Sequence, residues 1–250
     1  MVKRLTVIYT YYNSPQMLRV HLFNWSMLPD DMLKRVLFIL ADDGSRVSPA
    51  LPVLKQFGEY PFQLRLYRAI PDIPWNQHGC RNLAAREAPD GWLFLSDIDH
   101  TLPQSSLKWL LEHKVYKDRF YTFRRMTRTP GGKVVPMIDS RNGKPKPHPN
   151  TYLLPKRMYW DAGGYDEDYC GTYGGDGPFR RALNKVGFHE HLKDPYIVRW
   201  PREVIPDASQ QPEFREKYRG LYEPKFRAKG GGGLAEKPGE CVRFEWERQL

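Results

Sequence analysis

Two aspartates one residue apart, Asp97 and Asp99, directly follow the apolar run Trp92-Leu-Phe-Leu95. Such a run reads as a strand covered on both faces of a parallel sheet. With a side-chain period of two, residues 97 and 99 project to the same side if the strand continues that far. Carboxylates so placed repel each other unless a cation lies between them, and hard oxygens suit Mg²⁺ or Mn²⁺ bridging to a diphosphate. Ligands of open α/β sheets bind beyond the carboxyl ends of the strands, where these acids would lie. The plainer reading stays open: one Asp caps the next helix and the other is solvated. A further acid, Asp176, is set among Gly171, Gly174, Gly175 and Gly177, just before Pro178. Proline is tolerated in a first helical turn, so a helix is expected from about Pro178 to Lys185 with Asp176 at its entrance, either as N-cap or as an acid free for chemistry. The glycines would let backbone approach a ligand closely.

The elements that must position these acids follow from the patterning. Leu5-Thr-Val-Ile-Tyr9 is a β-branched, apolar strand ending in turn and helix-start residues (Thr10, Tyr11, Tyr12, Asn13, Ser14, Pro15). A helix is expected from about Pro15 to Met27, with Leu18, His21, Leu22 and Trp25 on one face. A second strand, Arg35 to Leu40, runs into Ala41-Asp-Asp-Gly-Ser45, so acids again follow a buried strand. A helix over Pro49 to Phe57, a half-buried strand over Phe62 to Tyr67 and a helix over Asn76 to Ala88 lead to the acid-bearing strand. This alternation argues for a mostly parallel sheet with helices on both faces. Beyond it, a helix over Pro103 to His113, a strand over Phe120 to Phe123, and short closing strands over Phe188 to Leu192 and Tyr196 to Trp200 are expected. Residues 129 to 150 hold five Pro and three Gly with no periodicity, which reads as a long mobile loop. The tail after Pro206 is polar and basic, with Phe214, Tyr218, Tyr222 and Phe226 among its charges and a break at Gly230 to Gly233; it is expected to wrap the domain.

The chain has 250 residues, 40% of them hydrophobic, enough for a full core. Cys80, Cys170 and Cys241 are scattered and odd in number, which indicates neither a disulfide framework nor a zinc site and fits a reducing cytoplasm. No signal-like start and no membrane-length apolar stretch is present, so a soluble protein is expected. The net charge of +10 is uneven: residues 117 to 157 hold eleven Lys or Arg against Asp118 and Asp139, a local balance of +9. Such a patch attracts an anionic partner, such as nucleic acid, acidic glycan or a membrane face, unless it is only a solvated loop.

Taken together, Thr10-Tyr-Tyr-Asn13, Ala41-Asp-Asp-Gly-Ser45, Gly79-Cys-Arg-Asn82, Ser96-Asp-Ile-Asp99, and Gly163-Gly-Tyr-Asp-Glu167 followed by Gly174-Gly-Asp-Gly177 resemble the motifs of the GT-A glycosyltransferases, especially the family-2-like group, in the right order. The resemblance covers about residues 4 to 200. It implies a GT-A fold, Rossmann-like, in a catalytic domain over 1–205, with a donor half to about 102, an acceptor half from about 103, and a basic C-terminal extension over 206–250. It implies that Thr10, Tyr11, Asp43, Gly79, Arg81 and Asp97 bind a nucleotide-sugar, UDP-sugar favoured. Asp97 and Asp99 would hold Mn²⁺ or Mg²⁺, and Asp176 would be the catalytic base, with Glu167 and Asp168 as alternatives. Two departures stand out. The family's usual Glu-Asp pair is here a single acid beside glycine, and the histidine that completes the metal shell on the last strand in many relatives is replaced by Arg199 or Trp200.

The implied reaction is an inverting transfer to an acceptor hydroxyl. The basic patch, with Arg124, Arg125, Arg128, Lys144 and Lys146, would line the acceptor side. The favoured acceptor is a hydroxymethylated pyrimidine in DNA, as in viral DNA-modifying glycosyltransferases, which would place the enzyme in the host cytoplasm. Lipopolysaccharide or capsule at a membrane face is the competing acceptor. A non-catalytic nucleic-acid-binding module on a degenerate α/β scaffold is the reading from another class.

Overall fold

A computed structural model of the chain describes residues 2–73, 75–170, 175–206 and 241–250. Strand β1 (Leu5–Tyr11) leads into α1 (Pro15–Ser26) and a short α2 (Asp30–Leu33), followed by β2 (Val36–Asp42), α3 (Ala50–Phe57), β3 (Gln63–Ala69), α4 (Gln77–Glu87) and β4 (Trp92–Asp97). Beyond β4 come β5 (His100–Thr101), α5 (Gln104–Glu112), β6 (Arg119–Arg128), β7 (Val134–Pro136), β8 (Tyr152–Pro155), α6 (Lys156–Asp161), α7 (Asp176–Val186), β9 (Phe188–Arg199) and β10 (Trp246–Arg248).

The strands form one sheet in the order β10-β3-β2-β1-β4-β8-β6-β9-β5, with β7 on β6. Its centre, β3-β2-β1-β4, is parallel, and every residue of β1 is buried. That is why β1 and β4 read as unbroken apolar runs: both faces are covered. On one face Val7, Tyr9 and Tyr11 pack with Leu18, Leu22 and Trp25 of α1 and with Leu107 and Leu110 of α5. Trp25 stacks on Phe38 with ring centroids 4.2 Å apart. On the other face Ile8, Ile39 and Leu95 pack with Cys80, Leu83 and Ala84 of α4 and with Phe179 and Leu183 of α7. The helices expected at 15–27, 49–57, 76–88 and 103–113 form within a residue or two of those bounds.

The second half departs from expectation in four places. Strand β6 runs to Arg128, well past Phe123. Residues 129–150 are no featureless loop: β7 pairs antiparallel with β6, and Ile138 bridges Pro145. The two closing strands are one, β9, because a register shift on β6 between Phe123 and Arg124 absorbs residues 193–195 and lets pairing resume at Tyr196. Strand β8 and helix α6 were not foreseen; β8 lies antiparallel between β4 and β6. The tail wraps the domain at its end, where β10 pairs antiparallel with β3 and covers that edge. Phe214, Tyr218, Tyr222, Phe226 and Gly230 to Gly233 lie outside the described residues. Among the described residues, no helix is long and apolar enough to cross a membrane.

Candidate functional site

The site is built where β1, β2 and β4 end. Thr10 lies in register beside Ala41 on one side and Asp97 on the other. The loops after β1 and β2 are stitched together: Asn13 N–H donates to Ser45 Oγ (2.9 Å), Ser48 N–H to Asn13 Oδ1 (2.9 Å) and Asp43 N–H to Tyr11 O (2.8 Å). Asp42 accepts from Ser45 N–H (2.9 Å) and Ala50 N–H (2.8 Å), so it holds the turn and the start of α3. Asp43 is buried with Oδ1 unpartnered, and burial, reinforced by Asp42 and Asp72, pushes its carboxyl well above the usual range. Tyr11 is different. Its ring lies in the core and its hydroxyl donates to Ser48 O (2.5 Å), so it shapes the loop and offers no group to a ligand.

Arg81 is the hub. It is fully buried on α4, its Nη2 pairs with Asp97 Oδ1, and its Cζ lies 4.9 Å over the Tyr165 ring. Its Nε and Nη1 have no hydrogen-bond partner among the described residues. Burial works against its charge, but Tyr165, Asp97 and Asp176 together raise its pKa above the ordinary arginine value. One turn earlier, Gln77 Nε2 donates to the same Asp97 oxygen (2.7 Å). The other oxygen, Oδ2, lies 3.3 Å from His148 Nε2. The His148 ring is set by Thr151 Oγ1 (2.9 Å from Nδ1), which in turn contacts Ser96 Oγ (2.8 Å). Burial opposes ionisation of Asp97, yet Arg81 and then His148 hold its carboxyl well below the usual range. Asp99 is likewise lowered against burial, chiefly by His100, whose Nδ1 lies 2.6 Å from Asp99 Oδ1. Arg125 Nε donates to His100 Nε2 (2.8 Å), which leaves the imidazole between a carboxylate and a guanidinium.

Asp176 is brought to the same place from the far end of the chain. It is the first residue of α7 and does not cap it; Gly175 holds the cap position. Asp176 interacts with Arg81, Asp97, Asn150 and His148, and burial raises its pKa before Arg81 pulls it partly back. His78 packs against Gly175 so closely that a Cβ there would stand 2.4 Å from His78 Nε2. That imidazole is buried, has neither nitrogen paired, and is pushed down to about 3 by burial with Arg81 adding to the effect, so it is neutral. Gly79 has a structural reason of its own: a Cβ would meet Asn76 Oδ1 at 2.3 Å and Phe244 Cε1 at 2.6 Å, so it makes room for the returning tail. Gly171 and Gly174 lie outside the described residues.

Neighbouring Glu167 and Asp168 are spent on structure. Glu167 accepts from Asn82 Nδ2 (2.9 Å), Val242 N–H (2.5 Å) and Arg243 N–H (3.0 Å), while Asp168 accepts from Arg243 Nη2 (2.7 Å). Asn82, fully buried, also donates to Tyr165 O (2.7 Å) and accepts from Tyr159 Oη (2.6 Å) and Tyr165 N–H (2.9 Å). Asn82→Ala orphans several of these groups at once and is expected to cost about 2–4 kcal/mol, read as a lower denaturant midpoint at unchanged m-value.

The backbone arrangement has known counterparts. It superposes on GalNAc-T7 with UDP, GalNAc and Mn²⁺ with a TM-score of 0.62 at 11% identity, over 87% of this chain and 55% of that one. The fold is the GT-A glycosyltransferase fold. The mannosyltransferase PcManGT from Pyrobaculum calidifontis, in complex with GDP-Man and Mn²⁺, matches with a TM-score of 0.61 at 15% identity, over 97% of this chain and 68% of that one. S. aureus TarS 1-349 in complex with UDP-GlcNAc matches with a TM-score of 0.58 at 17% identity, over 87% and 65%. The chain thus spans little more than half the length of GalNAc-T7. No protein-family model and no curated protein matches the sequence.

The donor set fits a divalent cation of the hard kind. Asp97 and Asp99 are both held ionised and are partly solvent-exposed at their tips. Among the described residues, no three His, Cys, Asp or Glu side chains converge to cage a metal, so the rest of a shell falls to water and phosphate oxygens, as Mg²⁺ and Mn²⁺ accept. Of the basic residues expected on the acceptor side, Lys144 and Lys146 are exposed, and Arg124 and Arg128 lie over Tyr196 and Trp200. Arg125 is the exception: it is buried and belongs to the Asp99–His100 network.

Proposed function

We propose that the chain is a metal-dependent inverting glycosyltransferase that moves a sugar from a nucleotide-diphosphate donor, UDP-sugar favoured, to a hydroxyl on an anionic acceptor, a hydroxymethylated pyrimidine in DNA favoured. The observation that carries this reading is Arg81: one buried guanidinium gathers the strand-end acid Asp97 and the helix-end acid Asp176 and keeps two donors unspent. Unspent buried donors beside ionised carboxylates suit diphosphate oxygens. The nucleotides or nucleotide sugars named with GalNAc-T7, PcManGT and TarS, and the Mn²⁺ named with the first two, support a metal-dependent nucleotide-sugar reading. The catalytic unit is residues 1–205, with 206–250 as an extension.

Each residue then has a task. Asp43 receives the base or ribose through its unpartnered oxygen. Asp97 and Asp99 hold the cation, with His148 and His100 fixing their orientation. A cation bound there would supply charge compensation for the departing diphosphate. Arg81 directs its free N–H groups at that diphosphate and holds Asp97 and Asp176 in place. Asp176 Oδ accepts the proton of the acceptor hydroxyl as its oxygen bonds to the anomeric carbon and the carbon–diphosphate bond breaks on the opposite face. A single in-line displacement inverts the stereochemistry.

The test is a panel of nucleotide sugars with Mn²⁺, read first as donor hydrolysis and then as mass gain on DNA carrying hydroxymethyl pyrimidines. Donor turnover that survives EDTA would remove the metal from the mechanism. Asp99→Ala should abolish Mn²⁺-dependent nucleotide binding in calorimetry while the fold, followed by circular dichroism, stays intact.

A further inference from the structure

Between α1 and the far ends of β6 and β9 runs a cleft of about 730 Å³ that the chemistry above leaves unused. Phe23 of α1 and Met27 just past its end form one lip, 61% and 64% exposed, and Arg128, Val134 and Trp200 form the other. Among the described residues no acidic side chain lines it, and Arg19 adds a second cation. The Arg128 guanidinium lies 4.3 Å over the Trp200 ring, and nearby Arg124 lies 5.6 Å over Tyr196. Both arginines keep a buried Nε without a partner. The cleft adjoins the metal strand: Trp200 N–H donates to Asp99 O (2.8 Å).

We propose that this cleft holds a single strand of DNA beside the active site. An apolar floor alone would suit any greasy partner, but a groove that sets a guanidinium over an aromatic ring, with a second cation on α1, suits a partner that alternates flat apolar surfaces with phosphates. Phosphates take the arginine edges and bases take the apolar wall. A membrane surface is the weaker match because the arginines sit on the inner wall of a concave groove, where headgroups of a flat bilayer would not reach. The inference rests on the reading that the acceptor base belongs to DNA, and it names the surface that would deliver that base.

The experiment is fluorescence anisotropy of a labelled oligodeoxythymidine of about 12 nucleotides, within the usual span of single-strand sites. It compares the full chain with the R19A/F23A double variant across a salt series. Both positions are exposed on α1 and outside the catalytic set, so Mn²⁺-dependent donor hydrolysis serves as the control and should not change. Binding should weaken about tenfold or more, and the salt slope should fall by about 0.7 for the lost arginine. Phe23→Trp, which keeps a flat ring, should retain binding. Equal affinity of wild type and double variant overturns the proposal, as does wild-type binding to phosphatidylserine vesicles with none to the oligonucleotide. If no nucleotide sugar is hydrolysed yet strand binding still depends on Arg19 and Phe23, the transferase reading fails and the strand site stands.

Discussion

Asp176→Asn is expected to lower the transfer rate by about 10²–10⁴-fold, the usual worth of a positioned proton acceptor, and to leave nucleotide affinity within about twofold. The geometry explains the split. Asp176 reaches the site at the first turn of α7, whereas the groups proposed to face a nucleotide stand on α4 and at the ends of β2 and β4. Asn is the informative replacement because it keeps the shape and the contact with Asn150 while removing the basic oxygen. The pH dependence adds a second readout. Burial raises the Asp176 pKa above the ordinary carboxylate value, with Arg81 only partly offsetting it. The base must be deprotonated to act, so activity should fall on the acid side with a midpoint above that of a free aspartate. In the Asn variant this acid limb should vanish from the residual rate. A full-rate Asn variant, or an unchanged acid limb, would move the proton chemistry to another residue.

The parts of this site that could be read in the sequence are those whose signal is local. Largely apolar runs of four to six residues, covered on both faces, announced β1, β2 and β4, and the acids after them followed from where such strands end. The α1 face of Leu18, His21, Leu22 and Trp25 was legible because a helix on a sheet must bury one stripe. What stayed hidden depends on partners from distant elements. Strand β8 is four residues among prolines and has identity as a strand only because β4 and β6 flank it. His78, His100 and His148 each look like an isolated imidazole in the chain. His78 and His148 take their roles from Gly175 and Asp97, which only the fold delivers, and His100, although next to Asp99 in the chain, is completed by Arg125 from β6. Gln77 and Arg81 carry a local signal of their own: one helical turn apart, they share a face of α4, and both reach Asp97 Oδ1.

The same comparison redefines two expected ligand residues. Tyr11 and Gly79 occupy the motif positions that suggested donor contact, yet Tyr11 spends its hydroxyl on Ser48 and Gly79 makes room for Phe244. Both fix the loop and helix that carry Asp43 and Arg81. A motif preserves a position in the fold, and the atoms at that position decide whether it touches ligand or scaffold.

Arg81→Ala should be the most damaging single change, because it acts on folding and on donor binding together. Removing one partner of a buried ion pair leaves its counterion uncompensated and costs about 3–5 kcal/mol. Here Asp97 loses its paired cation, and Asp176 loses a nearby compensating charge. The pH sense of the loss follows from Asp97. Its folded pKa is depressed by Arg81, so its contribution to stability is present above the unfolded aspartate pKa and disappears as pH falls through the folded value. The stability gap between wild type and variant should therefore be widest at neutral pH and narrow toward acid, measured by urea unfolding at several pH values. Arg81→Lys should recover only part of it, since a point charge on a flexible stem cannot pair with Asp97, lie over Tyr165 and offer two spare donors at once. The Lys variant also separates the two roles. If it refolds to near wild-type stability yet binds the nucleotide diphosphate at least about tenfold more weakly, the planar fork is what the donor recognises. If stability and affinity both return to wild-type values, a positive charge suffices and the two unpartnered nitrogens have no part in holding the donor.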